Sequence, residues 1–300
     1  MSKPTVTIAV SALNEERNIV RFIESILLQK EDGFVIEKIL VISDGSEDKT
    51  AERAESFHSP KIEVREYAER RGKSFRLNEI IADLTSDFIV QFDADIVLEH
   101  DRVLHDLLQP LFHEKGVGIC GGNPLPVSPV TFTEKAIACS LESYLPLRLK
   151  LKNGNNIYSA MGCMLAFRKE FIKKVHIPNR SVANDLFLYF SCLSLGYTYR
   201  HVSSAIVRYR LPQTLRDHIK QNVRFASGPI KMKEYFSQAL IESELHIPFW
   251  IKWRYRAEQV MKHPILCAYI YMVNTYCRYK ALKTWHTLNT KWEMVSSTKM

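Results

Sequence analysis

A chain of 300 residues, 46% apolar and 25% charged, is long enough for one large α/β domain with an appendage or for two domains, and its composition excludes disorder. A net charge of +8 points to anionic partners, whether nucleotide phosphates, nucleic acid or a membrane surface, without choosing among them. Six scattered cysteines with no C-x-x-C pair, and ten histidines with no H-E-x-x-H, argue against a zinc site and a disulfide framework.

Met1-Ser2-Lys3-Pro4 leads into a strand-like run at 6–10 without the apolar stretch of a secretory signal, so a cytoplasmic location is expected. Ile19, Phe22, Ile23, Ile26 and Leu27 then fall on one helical face. A strand follows at 36–42, a helix at 47–57, a short strand at 62–66 and a helix carrying Leu77, Ile80, Ile81 and Leu84. Residues 88–92 read as a fourth strand, Leu104, Leu107, Leu108 and Leu111 as a helical stripe, and 116–121 as a fifth strand. This alternation predicts an α/β fold, a mostly parallel sheet with helices on both faces.

Beyond it the pattern loosens. Residues 133–152 are expected to be helical, 160–167 extended, 183–195 helical, 205–209 a strand and 214–225 a helix. From about Pro229 the composition shifts to aromatics and bases, with Phe249-Trp250-Ile251-Lys252-Trp253-Arg254-Tyr255-Arg256 interleaving rings and cations. The nearly uncharged run at 265–276 is too short and too polar to span a bilayer. Trp, Tyr and bases together favour the headgroup layer, so a helix in the membrane interface and a buried helix with solvated bases both stay open.

Four loops after strands send polar groups to one sheet edge. After the first strand come Ala12, Asn14 and Glu15; after the second, Asp44-Gly45, where Asp44 can accept from a base or ribose. Arg71-Gly72-Lys73-Ser74 opens the third helix and offers cations and helix-terminal N–H groups to an anion. Asp93-Ala94-Asp95 ends the fourth strand, and two carboxylates completed by substrate phosphates are how Mg²⁺ or Mn²⁺ is usually held. Each alone is a common turn; their convergence suggests a nucleotide site at the carboxyl ends of the strands.

In order, the stretches at 10–16 (Val-Ser-Ala-Leu-Asn-Glu-Glu), 43–50, 72–78, 93–95, 162–168, 184–188 and 221–228 resemble the family-2 glycosyltransferases, nucleotide-sugar-dependent enzymes that include polysaccharide synthases. The resemblance implies a GT-A-like (Rossmann-like) domain over 1–228, and the composition beyond it predicts a basic, aromatic helical extension over 229–300. It implies that Asp44 and Lys73 help hold the nucleotide, with Ala12, Asn14, Glu15, Asp93 and Ala94 around it, and that Asp93 and Asp95 engage a divalent metal. Asp185 stands where the family has its general base, although an Asp at a helix start is by default an N-cap. Gln221, Arg224 and Phe225 match the Gln-x-x-Arg-Trp motif that faces acceptor and diphosphate. Three departures stand out: Ser43 and Asn184 replace acids, and Phe225 replaces Trp, keeping a stacking face but losing the indole donor.

The expected activity is inverting transfer of a sugar from a nucleoside diphosphate, a UDP-sugar by resemblance, to a saccharide or lipid-linked acceptor. The expected setting is the cytoplasmic face of a membrane, and a membrane partner supplying an export channel stays open. Nucleic acid is not an expected partner, because the bases form no recognised module. Two rivals remain: an inactive nucleotide-sugar-binding or membrane scaffold, and a haloacid-dehalogenase-type phosphatase in which Asp93 of Asp93-Ala94-Asp95-Ile96-Val97 is the nucleophile.

Overall fold

The computed structural model describes residues 3–288 and 296–298. The core alternates strand and helix: β1 (Thr5–Ala12), α1 (Ile19–Leu27), β2 (Val35–Asp44), α2 (Thr50–Glu55), β3 (Ile62–Tyr67), α3 (Lys73–Asp83), β4 (Phe88–Asp93), β5 (Ile96–Leu98), α4 (Val103–His113) and β6 (Val117–Pro126). Then follow α5 (Phe132–Lys150), β7 (Met164–Arg168), α6 (Lys169–Ile172), α7 (Asn184–Ser194), β8 (Thr198–Tyr209) and α8 (Leu215–Met232). Helices α9 (Gln238–Leu245), α10 (Phe249–Lys262) and α11 (Pro264–Thr284) follow.

The eight strands form one open sheet in the order β3-β2-β1-β4-β7-β6-β8-β5. The half from β3 to β4 is parallel, as is the β6–β8 pair; β7 and β5 run against their neighbours. Alternate residues of β1 point to opposite faces, as strand geometry requires. Val6, Ile8 and Val10 meet the stripe Ile19, Phe22, Ile23 and Ile26 of α1 and the leucines of α4. Ala9, with Leu40 and Ile42 of β2, packs instead on α3, α6 and α7. Both sheet faces are therefore covered, which is why the central strands read as nearly continuous apolar runs.

Register brings the polar strand ends level. Ser11 pairs with Asp93, and Ala12 with Ser43, so β1, β2 and β4 finish side by side. β7 enters antiparallel beside β4, and the Asp93 N–H donates to the Cys163 carbonyl at 3.1 Å. The loop before β7 is thereby laid across the carboxyl ends of the parallel strands.

Several boundaries differ from the sequence expectation for local reasons. α2 starts at Thr50 rather than 47, because the Asn14 side chain accepts from the Glu47 N–H at 2.7 Å and Asp48 Oδ1 accepts from the Thr50 N–H at 3.1 Å. The extended run expected from 160 becomes strand only at Met164, after a series of turns. β8 starts at Thr198, seven residues before the expected strand, and pairs along β6. α8 does not end at 225; it continues through Gly228 and Pro229 to Met232, so the compositional shift at 229 falls inside a helix.

Candidate active site

Asp44, at the end of β2, is the anchor of the next loop. Its Oδ1 accepts from the Arg71 N–H at 3.0 Å and from Arg76 Nε at 2.7 Å, and its Oδ2 from the Gly72 N–H at 2.6 Å. A carboxylate offers about four acceptor positions, and three are filled by protein. Gly45 (φ +76°) lets this loop close, because a Cβ there would lie 2.8 Å from Arg70 Cβ. Arg76 is itself buried, with its guanidinium carbon 3.5 Å from the centre of the Tyr67 ring and a further ion pair to Glu79 at 2.8 Å. Together these contacts fix the start of α3 and the lysine that opens it.

Lys73 points across the strand ends to Asp93, with which it forms an ion pair, and its Nζ lies 3.3 Å from the Gly162 carbonyl. The same carbonyl accepts from Gln91 Nε2 of β4 at 2.9 Å. Asp95 lies two residues past the end of β4, with Ala94 between. Its carboxyl is pushed up from the ordinary value to about 7, chiefly by burial and then by the charges of Asp93 and Glu15. Glu15 accepts from Asn18 Nδ2 at 2.7 Å, and Asn14, with φ +53°, ties the first loop to the second through Ser46 and Glu47. Ala12 and Ala94 are packed in the core beneath these loops, so what they can offer a ligand is backbone.

On the other side of Gly162 lies Asp185, in the first turn of α7. Its carboxyl is raised by burial, opposed by the Leu186 N–H, by the charges of Lys73 and Arg224, and by the Gly162 backbone. A Cβ on Gly162 would stand 3.3 Å from Asp185 Cβ and 3.4 Å from its Oδ2, so the absence of a side chain there leaves the carboxylate its space. Arg224, one helical step of i, i+3 beyond Gln221 on α8, is held down by burial and raised by Asp185, Asp93 and Asp95 together. Phe225 is exposed, its ring 5.3 Å from the Arg224 guanidinium carbon.

Asp93, Asp95, Lys73, Asp185 and Arg224 thus share one electrostatic site, although they come from β4, the turn after it, α3, α7 and α8. Ordering them takes contacts that the sequence pattern did not reveal. Ser74 Oγ donates to Asn184 Oδ1 at 2.9 Å, joining the start of α3 to the start of α7 and so Lys73 to Asp185. Gln91 was legible only as a polar residue inside an apolar strand.

Residues 7–175 match the family described as Glycosyl transferase family 2. The chain belongs to that family. Among curated relatives, poly-beta-1,6-N-acetyl-D-glucosamine synthase of Staphylococcus aureus is 24% identical over 241 residues, covering 77% of this chain, and the Staphylococcus epidermidis enzyme of the same name is 22% identical over 242. The matched region spans 57% of those relatives' length. A mannosyltransferase from Pyrobaculum calidifontis, solved with GDP-Man and Mn²⁺, has the same fold with TM-score 0.62 at 19% identity, over 95% of this chain and 84% of that one. Glucosyl-3-phosphoglycerate synthase from Mycobacterium tuberculosis, solved with Mn²⁺ and UDP-Glc, follows with TM-score 0.55 at 17% identity, over 78% and 81%.

In this family-2 glycosyltransferase the expected GT-A-like architecture is present, with a helical C-terminal region. The phosphatase reading falls with the family assignment, and Asp93 ends an inner strand reached only after three strand-helix units. Among the described residues no group of three or more His, Cys, Asp or Glu is arranged to hold a metal by itself. Asp93 and Asp95 nevertheless fit a divalent cation whose remaining ligands are phosphate oxygens, because Asp95 faces two further negative charges that a cation would relieve.

Proposed function

We propose that this chain transfers a glycosyl group from a nucleoside-diphosphate sugar to a hydroxyl of a saccharide or lipid-linked acceptor, by direct displacement with inversion. One observation carries the reading: two cations, Lys73 and Arg224, and the base Asp185 belong to the same electrostatic site as the strand-end carboxylates.

As the acceptor oxygen bonds to the anomeric carbon, the bond from that carbon to the β-phosphate oxygen breaks and the acceptor proton passes to Asp185. A carboxyl raised by burial is the stronger base for that step. Negative charge grows on the leaving diphosphate, and Lys73 and Arg224 are preorganised against it by protein contacts that cost no rearrangement during the reaction. Asp93 and Asp95 would hold Mg²⁺ or Mn²⁺, which when bound would supply Lewis-acid stabilisation of the same charge. Asn14, Glu15 and Asp44 form the wall on which the nucleoside rests, Asp44 through its remaining acceptor position and the loop it organises. Gln221 and Phe225 lie toward the acceptor, with the Phe225 ring available to stack on a sugar.

A UDP-sugar is the proposed donor, and UDP-N-acetylglucosamine is the first to try, given what the staphylococcal relatives are named for. The test is incubation of the purified chain with labelled nucleotide sugars, Mn²⁺ and oligosaccharide or lipid-linked acceptors. Metal-dependent release of nucleoside diphosphate that disappears in Asp185→Asn supports transfer; tight nucleotide binding without turnover for any acceptor would leave a binding scaffold instead.

A further inference from the structure

Helices α10 and α11, joined only through His263, turn their apolar sides away from the protein. On α10, Phe249, Trp250, Trp253, Val260 and Met261 fall within one helical face and are all exposed, Met261 to 77%. The face toward the protein is the one bearing the half-buried Ile251 and Tyr255 and the buried Gln259. α11 repeats the arrangement. Ile270, Cys277 and Ala281 are buried against the body of the protein, while Ile265, Tyr271, Met272, Tyr276, Tyr279 and Leu282 line the opposite, exposed face, Ile265 to 75%. A surface helix normally hides such a stripe, and a contiguous exposed one marks an interaction surface.

Charge identifies the partner. Residues 249–284 contain seven Lys or Arg and one acid, Glu258, so most of the net charge of +8 is concentrated on two helices. Arg254 and Arg256 border the α10 stripe, and Arg278 and Lys280 border that of α11. Neither helix is long and apolar enough to cross a membrane. Aromatic and long apolar side chains rimmed by bases suit a helix lying in the headgroup layer of an anionic bilayer. A protein partner or a second copy of this chain would need a complementary acidic rim, and this strongly basic face cannot supply one to itself.

The pair is also fixed to the acceptor side of the active site. Val223 of α8 packs on Cys277 and Ala281, and Asn274 of α11 bonds to both His218 and Asn222 of α8, the helix that carries Gln221 and Arg224. α11 lies as well on Ala136, Ile137 and Ala138 of α5.

We infer that the outward faces of α10 and α11 form one platform that docks on an anionic phospholipid surface and sets the acceptor end of the site beside it. This deepens the acceptor half of the proposed function, but binding to lipid can be read without any transfer. The full chain is sedimented with phosphatidylcholine vesicles, with and without a minority of phosphatidylglycerol, alongside W250S/W253S/M261S and W250F/W253F. The expected result is binding that requires phosphatidylglycerol, weakens at high salt, falls at least about tenfold in the serine variant and persists in the phenylalanine variant. Because the substituted side chains are exposed, thermal melting and nucleotide-induced shifts should be those of the parent, which separates lost docking from lost folding. Equal sedimentation of parent and serine variant, no binding to anionic vesicles, or a dimer in light scattering that the serine variant abolishes would each overturn the inference. Transfer to a water-soluble acceptor is measured separately, so failure of the enzymatic reading would leave the lipid result standing.

Discussion

Arg76 Nε and Asp44 Oδ1 lie 2.7 Å apart with both side chains almost fully buried, and this pair connects the end of β2 to the start of α3. Removing one partner leaves a buried charge uncompensated, at a typical cost of about 3–5 kcal/mol. Arg76→Met is therefore expected to lower the urea midpoint sharply. It should also weaken nucleotide binding, since Lys73 begins the helix that the pair holds. Asp44→Asn combined with Arg76→Met removes both charges and should recover part of the stability; a double variant as unstable as the sum of the two singles would show that the pair is not coupled.

Asp185→Asn keeps the size and the contact to the Leu186 N–H while removing the proton acceptor. Transfer should fall by about 10²–10⁴-fold, the usual contribution of a positioned general base. Thermal stabilisation by nucleoside diphosphate should survive, because Lys73, Asp93 and Asp95 are untouched. Parent-like turnover in this variant would remove Asp185 from the reaction.

Asp95 makes the metal-free protein pH-sensitive in a defined direction. Its folded-state carboxyl is raised from 3.8 to about 7, so the proton is bound in both states under strongly acidic conditions and only in the folded state at intermediate pH. The stability this group contributes is complete below its unfolded value and is lost as pH rises through about 7. At alkaline pH metal-free Asp95→Asn should melt above the parent, whereas near pH 4 the two should agree. A divalent ion competes with that proton, so Mn²⁺ should raise the melting temperature of the parent more at alkaline than at mildly acidic pH, and scarcely in Asp95→Asn. A Mn²⁺ shift of equal size at every pH would exclude proton release on binding.

The central strands and α1, α3 and α4 were legible because their apolar residues recur with periods that single elements impose. The first seven residues of β8 were not. Arg200, His201, Ser203 and Ser204 interrupt its alternation, and what makes the segment a strand is pairing along β6. β5, three residues long, carries too few positions for any period. At the site, motif order indicated Lys73, Asp93, Asp95, Asp185 and Arg224, and the structure brings them together. Hidden from the sequence was what orients them: Ser74 reaching Asn184 across 110 positions and Gln91 reaching the Gly162 carbonyl across 71, contacts that leave no local trace. Asn184, conspicuous in sequence as a replaced acid, proves to be half of that link.

Gly228 tests how closely α7 and α8 must approach for the site to close. A Cβ there would lie 2.8 Å from Leu186 Cδ1 and 2.9 Å from Ala183 Cβ. Leu186 can turn away, but Ala183 has no rotamer to change, so Gly228→Ala must move one helix. Helix propensity alone would favour alanine by about 1 kcal/mol, and overpacking typically costs about 1–3 kcal/mol, so the net effect should be destabilising. The displaced segment lies one turn from Arg224, and the helix it presses on carries Asp185 in its first turn. Transfer should therefore drop more than stability does, through kcat rather than through nucleotide affinity, because Lys73 and Asp93, proposed to hold the donor, lie on other elements. Gly116→Ala, whose added Cβ meets nothing within 4 Å, is the control and should change neither. If Gly228→Ala instead melts higher and turns over normally, the two helices are not in the close contact on which the placement of Arg224 beside Asp185 depends.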